Sequence, residues 1–371
     1  MDNEFIQQIH NQDGKFVLAV TGGGASALAK LLAVPGASNT LLSAFIPYHD
    51  KELNRYLGGS PESAGSSQTA RALAMASWQR ARKMEQEVPV YGVGCTSALA
   101  TNRQRRGDDR CFVAIQSAES TMEIAVTFDK SERNREEEEN LCGTLILGFI
   151  AEALGINFDY LGGFRKTDSI TRNQKLADPS WQALIAGDTN VTPANNPPAL
   201  VFPGAFNPMH NGHVKMAEYA EKLIGEKVTL EISIFNVDKP PLDFIEMQSR
   251  YDALQEEPSA VLNKWPLVFS NAPTFVEKCR LFPGATLIVG IDTLKRIIEM
   301  KYYDSSKDKR DQALQEIDNL GNRFMVFGRQ TSEGFVTLAD LDLPASLSHS
   351  CISVAEEDFR EDMSSTEKRA G

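Results

Sequence analysis

Apolar positions along the chain fall into short continuous runs followed by stripes of helical period. Lys15 to Val20 reads as a buried strand, and Thr21-Gly-Gly-Gly-Ala-Ser26 follows it directly. Ala25 to Ala33 then carries Leu28, Leu31 and Leu32 on one side and stops before Pro35-Gly36, the pattern of a short helix. Leu41 to Tyr48 predicts a second strand, Glu62 to Gln86 a long Ala-rich helix, and Val88 to Gly94 a third strand. Cys111 to Gln116 and Met122 to Phe128 read as paired strands. A last helix is expected behind Ser131, with Glu136 to Glu139 in its first turns and the apolar Leu141 to Leu154 facing the core.

Periodicity then weakens from 157 to 198, and Asp188-Thr-Asn-Val-Thr-Pro-Ala-Asn-Asn-Pro-Pro198 is dense in turn formers. The expected division is a first domain over 1–160, a linker over 161–198 and a second domain over 199–371. A fresh apolar run, Ala199 to Phe202, opens the second part. It breaks at Pro203-Gly204, and from Gly212 a helix is predicted with Met216, Ala217, Ala220, Leu223 and Ile224 on its apolar side. Strands at Val228 to Phe235, Pro266 to Ser270, Thr286 to Asp292 and Arg323 to Phe327 alternate with helices from Phe244, which carries Arg250, and behind Thr274. Alternation of this kind gives a parallel, right-handed, doubly wound sheet. The fold class is therefore α/β: two α/β/α domains, the second a Rossmann-like doubly wound parallel sheet.

Length and composition agree with two ordinary domains: 371 residues, 42% apolar and 24% charged. A net charge of -12 argues against general binding to nucleic acid or anionic membranes, and no run approaches a membrane span. The acidic N-terminus Met1-Asp-Asn-Glu is not a secretory signal. Cys95, Cys111, Cys142, Cys279 and Cys351 are scattered, without a C-x-x-C pair, which fits reduced thiols in the cytoplasm and no metal site. Nothing here excludes a homo-oligomer.

The chemistry gathers where the strand at Ala199 meets the helix at Gly212. His210 and His213 lie three residues apart beside the free N–H groups of a helix N-terminus, a place that favours anions. Gly204 permits close backbone approach, and two imidazoles can donate to phosphate oxygens. This stretch, Gly204-x-Phe-Asn-Pro-x-His-x-Gly-His213, resembles the signature of the HxGH nucleotidyltransferases, most like the nicotinamide or nicotinate mononucleotide adenylyltransferases. The resemblance implies a nucleotide site built from Gly204, Ala205, Phe206 and Asn207, with His210 and His213 stabilising the triphosphate under attack. It assigns Gly290 and Asp292 of Gly-x-Asp to the adenosine part, and makes Arg329 a candidate for substrate phosphate. The tail Met363-Ser-Ser-Thr-Glu-Lys-Arg369 is similar to the family's Ile-Ser-Ser-Thr-x-x-Arg. By that likeness Ser364, Ser365 and Thr366 bind phosphates and Arg369 neutralises pyrophosphate, although little of the helix that carries this arginine follows it here.

The first half resembles the CinA C-terminal family, the nicotinamide mononucleotide amidohydrolases, through Thr21-Gly22-Gly23, Val34-Pro35-Gly36-Ala37-Ser38 and Tyr48. The family's Glu-Ser before the glycine turn falls on Leu18-Ala19, its lysine on Leu53 with Lys51 nearby, and its Gly-x-Ala-Gly-Pro loop on Gly92-Val-Gly-Cys-Thr96. Amide cleavage needs an activated nucleophile or water, and Thr21 and Cys95 are the substitutes at hand. Thr21, Gly22, Gly23, Tyr48 and Lys51 thus mark a vestigial site. Together the two resemblances imply transfer of AMP from ATP, entering with Mg²⁺, to a nicotinamide or nicotinate mononucleotide, with pyrophosphate released. The alternatives are adenylyl or cytidylyl transfer to another phosphorylated acceptor, and a non-catalytic nucleotide-binding protein.

Overall fold

The computed structural model describes residues 2–102, 106–130, 133–193, 197–257, 261–332 and 334–360. The chain packs as two units, Met1–Gln182 with Asp238–Met247, and Ala183–Val237 with Gln248–Gly371.

In the first unit the elements run α1 (Asn3–His10), β1 (Lys15–Thr21), α2 (Ala25–Ala33), β2 (Leu41–Phe45), α3 (Asp50–Leu57), α4 (Ser67–Met84), β3 (Val90–Ala98), β4 (Arg110–Gln116), β5 (Ser120–Thr127), α5 (Arg135–Ala153) and β6 (Ser169–Leu176). The sheet order is β2-β1-β3-β4-β5-β6. β2, β1 and β3 are parallel; the rest form an antiparallel meander. β1 is apolar throughout because both its faces are covered. Phe16, Leu18 and Val20 meet α1, α2 and α5, while Ala19 meets α3 and α4.

Several expectations change here. The long helix begins at Ser67, capped by Ser66, rather than at Glu62. The third strand runs on to Ala98, so Gly92 to Thr96 is strand beneath an Ala-rich helix and not a loop. Ser131 lies outside the described residues. Asn134 caps α5, its side chain accepting from the Glu137 N–H while Glu137 accepts from the Asn134 N–H. Leu32 turns outward, 60% exposed, away from the stripe that holds Leu31.

The stretch expected as a linker carries real elements: β6 pairs along its whole length with β5, and α6 (Pro179–Ala186) follows. β6 escapes notice in the sequence because its side chains are largely exposed on both faces. Backbone hydrogen bonds, rather than an apolar stripe, hold it.

Asp168 anchors the start of β6. The Arg133 guanidinium grips its carboxylate at 2.8 and 2.7 Å, and the N–H groups of Asp129 and Arg165 donate at 2.9 and 2.7 Å. Burial works to raise the carboxyl pKa, but Arg133 and the two N–H groups outweigh it and hold the pKa below its usual value. A lowered folded-state value makes this contribution complete above the unfolded value of about 3.9 and lost as pH falls through the folded value. In wild type the urea midpoint is expected to fall through that acid window. In Arg133→Met burial is opposed only by the two N–H groups, so stability should already be reduced at neutral pH and the further loss on acidification should be smaller than in wild type.

The second unit contains β7 (Val191–Thr192), β8 (Leu200–Pro203), α7 (Asn211–Ile224), β9 (Val228–Ser233), α8 (Phe244–Glu256), α9 (Val261–Lys264), β10 (Leu267–Ser270), α10 (Phe275–Leu281), β11 (Thr286–Gly290), α11 (Ile291–Ile298), α12 (Lys307–Asn319), β12 (Arg323–Phe327), β13 (Arg329–Thr331), β14 (Gly334–Val336), α13 (Ala345–Ser348) and β15 (Cys351–Val354). The first turn of α8, up to Met247, belongs to the first unit. The main sheet runs β15-β12-β11-β8-β9-β10-β7, parallel except for β7 at one edge. The chain builds outward from β8 through β9 and β10, then returns to β11 on the other side of β8. The reversal of direction between β8 and β11 is the topological switch point, outside whose carboxyl ends such sheets bind ligands. This is a Rossmann-like fold. On α7, Ala217 and Ala220 are buried as expected, but Leu223 is 52% exposed, past the edge of the sheet-facing stripe.

Candidate active site

β8 ends at Pro203, and the loop that follows sits at the switch point. The Gly204 N–H donates to the Glu231 carbonyl at 2.9 Å, which ties the start of the loop to β9. A Cβ on Gly204 would lie 2.6 Å from the Phe206 ring, so the room that the glycine leaves is taken by the chain's own aromatic. Phe206 is buried and holds a φ of 44°, a left-handed conformation uncommon for a bulky residue. It packs edge-on to Phe202 and His213, with centroids 5.3 and 5.4 Å away.

His210 is the N-cap residue of α7 and is 6% exposed. Its backbone N–H donates to Nδ1 of His213 at 3.3 Å, and the two rings stack with centroids 3.8 Å apart. A ring that accepts at Nδ1 carries its proton on Nε2, so His213 presents one N–H donor. Phe202 and Phe206 flank that ring on edge. The loop thus holds two imidazoles at the positive end of a 14-residue helix, where developing phosphate charge is favoured.

Gly290 ends β11 and is the N-cap residue of α11, which puts it across the switch point from Gly204. A side chain added there would meet open space. Asp292, in the first turn of α11, pairs with Arg329 at the start of β13, and both are about half exposed. The expected adenosine and phosphate residues therefore hold each other. Asn207 is exposed, and Ala205 accepts from the Arg250 guanidinium at 2.9 Å through its carbonyl. Arg250, noted in the sequence without a role, is a residue that pattern reading missed: a cation fastened to the loop from a helix more than forty residues on.

Ser364, Ser365, Thr366 and Arg369 lie outside the described residues. Their approach is described. Phe359, four residues before Met363, packs on Phe327 at 4.8 Å and on Tyr219 of α7 at 6.3 Å. The chain is thus on the α7 side of β12 just before the tail motif.

In the first unit, Thr21 ends β1 beside the end of β2, three residues before Tyr48, so the parallel topology brings both to one sheet edge. Tyr48 is 68% exposed, and Lys51 is exposed in the first turn of α3. Cys95 cannot take up the missing nucleophile's part. It is fully buried, and a hydrogen bond with Cys111, 3.8 Å away, together with burial pushes its thiol well up. A thiol held protonated is not a nucleophile. All five cysteines are free. Among the described residues no helix is long and apolar enough to cross a membrane.

Residues 201–371 match the cytidylyltransferase-like family. The match takes in the loop, both histidines, Gly290, Asp292 and the whole tail motif, and supports a nucleotidyltransferase activity for this half. The first half is similar to CinA-superfamily structures. The competence/damage inducible protein CihA from Agrobacterium tumefaciens shares 16% identity over 41% of this chain and 94% of its own, with a TM-score of 0.33. A competence-damaged protein (CinA) superfamily protein from Escherichia coli shares 14% over 41% and 84%, with a TM-score of 0.30. A competence or damage-inducible protein from Enterobacter asburiae shares 14% over 41% and 94%, with a TM-score of 0.31. No curated protein matches the chain.

Proposed function

We propose that the second unit transfers AMP from MgATP to the phosphate of nicotinamide or nicotinate mononucleotide, releasing pyrophosphate. The observation that carries this reading is the stacked His210–His213 pair at the N-terminus of α7, seated at the switch point of a doubly wound sheet. The acceptor phosphate is already an anion, so the attack needs no general base. It forms one P–O bond at the alpha-phosphorus while the bond to the beta-phosphate oxygen breaks. The protein's part is then to position both substrates and meet the charge that develops. In this reading His213 donates from Nε2, His210 and the α7 amides stand beside it, and the tail hydroxyls with Arg369 receive the departing pyrophosphate. Mg²⁺ enters on the ATP phosphates as part of the substrate. The cytidylyltransferase-like match favours a second reading, in which the nucleotide is CTP or the acceptor is another phosphorylated compound.

Competition separates the two. The full chain is incubated with MgATP or MgCTP and each mononucleotide, and the products are separated chromatographically. Dinucleotide from ATP with either nicotinamide-type acceptor is expected. Turnover with CTP alone, or with neither acceptor, overturns the first reading.

A further inference from the structure

The glycine turn after β1 already holds an oxyanion, and the chain itself supplies it. Gly22 and Gly24 take φ values of 84° and 99°, which turns the backbone so that the N–H groups of Gly24 and Ser26 meet one spot at the start of α2. Glu139, on α5, fills that spot. Its Oε2 accepts from the Gly24 N–H at 2.7 Å and its Oε1 from the Ser26 N–H at 3.1 Å. The Ser26 hydroxyl fixes the helix below it by donating to the Glu139 carbonyl at 3.0 Å, and Arg135 donates to the Gly22 carbonyl. Two backbone donors on two oxygens of one anion is the way such turns hold a phosphate.

A second group points at the same place. Ser97, at the end of β3, is 8% exposed, and its hydroxyl has no hydrogen-bond partner among the described residues. A Cβ built on Gly23 would lie 2.6 Å from that hydroxyl and 2.7 Å from Oε2 of Glu139, so both face one point over the turn. A carboxylate has two oxygens, and both are engaged by backbone. A phosphate has a third, and Ser97 is placed to meet it. The charge run Glu136 to Glu139 reads in the sequence as favourable to its own helix, but Glu139 serves the N-terminus of a different one.

We propose that the Gly22–Ser26 turn of the first unit is a phosphate-monoester site held shut by the Glu139 carboxylate. Inorganic phosphate is the probe, titrated calorimetrically into the full chain at constant ionic strength. Glu139→Ala is expected to gain one phosphate site at least about tenfold tighter than any the wild type shows in the first unit, and Ser97→Ala in that background is expected to remove the gain. Circular dichroism and thermal melting establish that each variant is folded. Should Glu139→Ala fail to fold, Glu139→Gln keeps the volume, drops the charge and must show the same gain in smaller measure. A folded variant with no added phosphate binding overturns the proposal, and so does a gain that survives Ser97→Ala. Weakened phosphate binding in Ser97→Ala alone overturns it too, because the turn would then be open in the wild type.

Discussion

Replacing His213 by alanine is expected to lower the rate of nucleotidyl transfer by about two to three orders of magnitude, the usual consequence of removing one preorganised donor to developing oxyanion charge. The loss should fall on kcat. On the proposed reading the loop backbone and the helix N-terminus also hold the nucleotide, and the substitution leaves both in place, so KM should move only a few-fold. His213 also accepts the His210 N–H and packs on Phe206, so the variant should melt slightly lower. That structural part is worth about 1 kcal/mol, the scale of a lost helix cap. Steady-state kinetics beside a melting curve separates the two roles. A purely structural histidine would give a lower melting temperature with kcat intact.

The second large effect is on stability. Glu231 sits in the middle of β9 with no exposure, opposite Pro203 on one neighbour and Val268 on the other. Lys278 of α10 reaches its two carboxylate oxygens at 2.6 and 2.8 Å, and Ser270 donates to the same group. Lys278→Ala leaves a buried carboxylate without its cation, a change that costs about 3–5 kcal/mol. For a unit of this size that is a drop of roughly 6–20 °C in its thermal transition, at about 2–4 °C per kcal/mol. Replacing both partners, Glu231→Leu with Lys278→Met, removes the uncompensated charge and should recover most of the loss. Calorimetry of the three proteins checks this. A single variant as stable as wild type would mean that the pair does not hold the β8–β9 edge from which the His loop springs.

The parts that carry this site are the parts that local sequence displays. Leu200 to Phe202 is apolar because β8 lies in the middle of the sheet with neighbours on both sides, and Pro203-Gly204 ends it where the strand must end. The three-residue spacing of the histidines is read directly from one helix turn. What escaped reading depends on residues distant in sequence. Nothing near Glu139 announces that it closes a turn 113 residues earlier, and nothing near Arg250 shows its bond to Ala205, 45 residues away. The Asp292–Arg329 pair spans 37 residues and joins two groups that motif reading had assigned to separate tasks. β6 was illegible for another reason: an exposed edge strand needs no apolar alternation, only a partner for its backbone.

The most direct measurement follows the label. Full-length protein is incubated with a mononucleotide acceptor and MgATP labelled at the alpha- or the gamma-phosphorus. Transfer of AMP puts the alpha label in the dinucleotide and the gamma label in pyrophosphate, in equal amounts, and both signals collapse in His213→Ala. Gamma label released as inorganic phosphate, or alpha label that never leaves ATP while ATP remains bound, would contradict nucleotidyl transfer at this site.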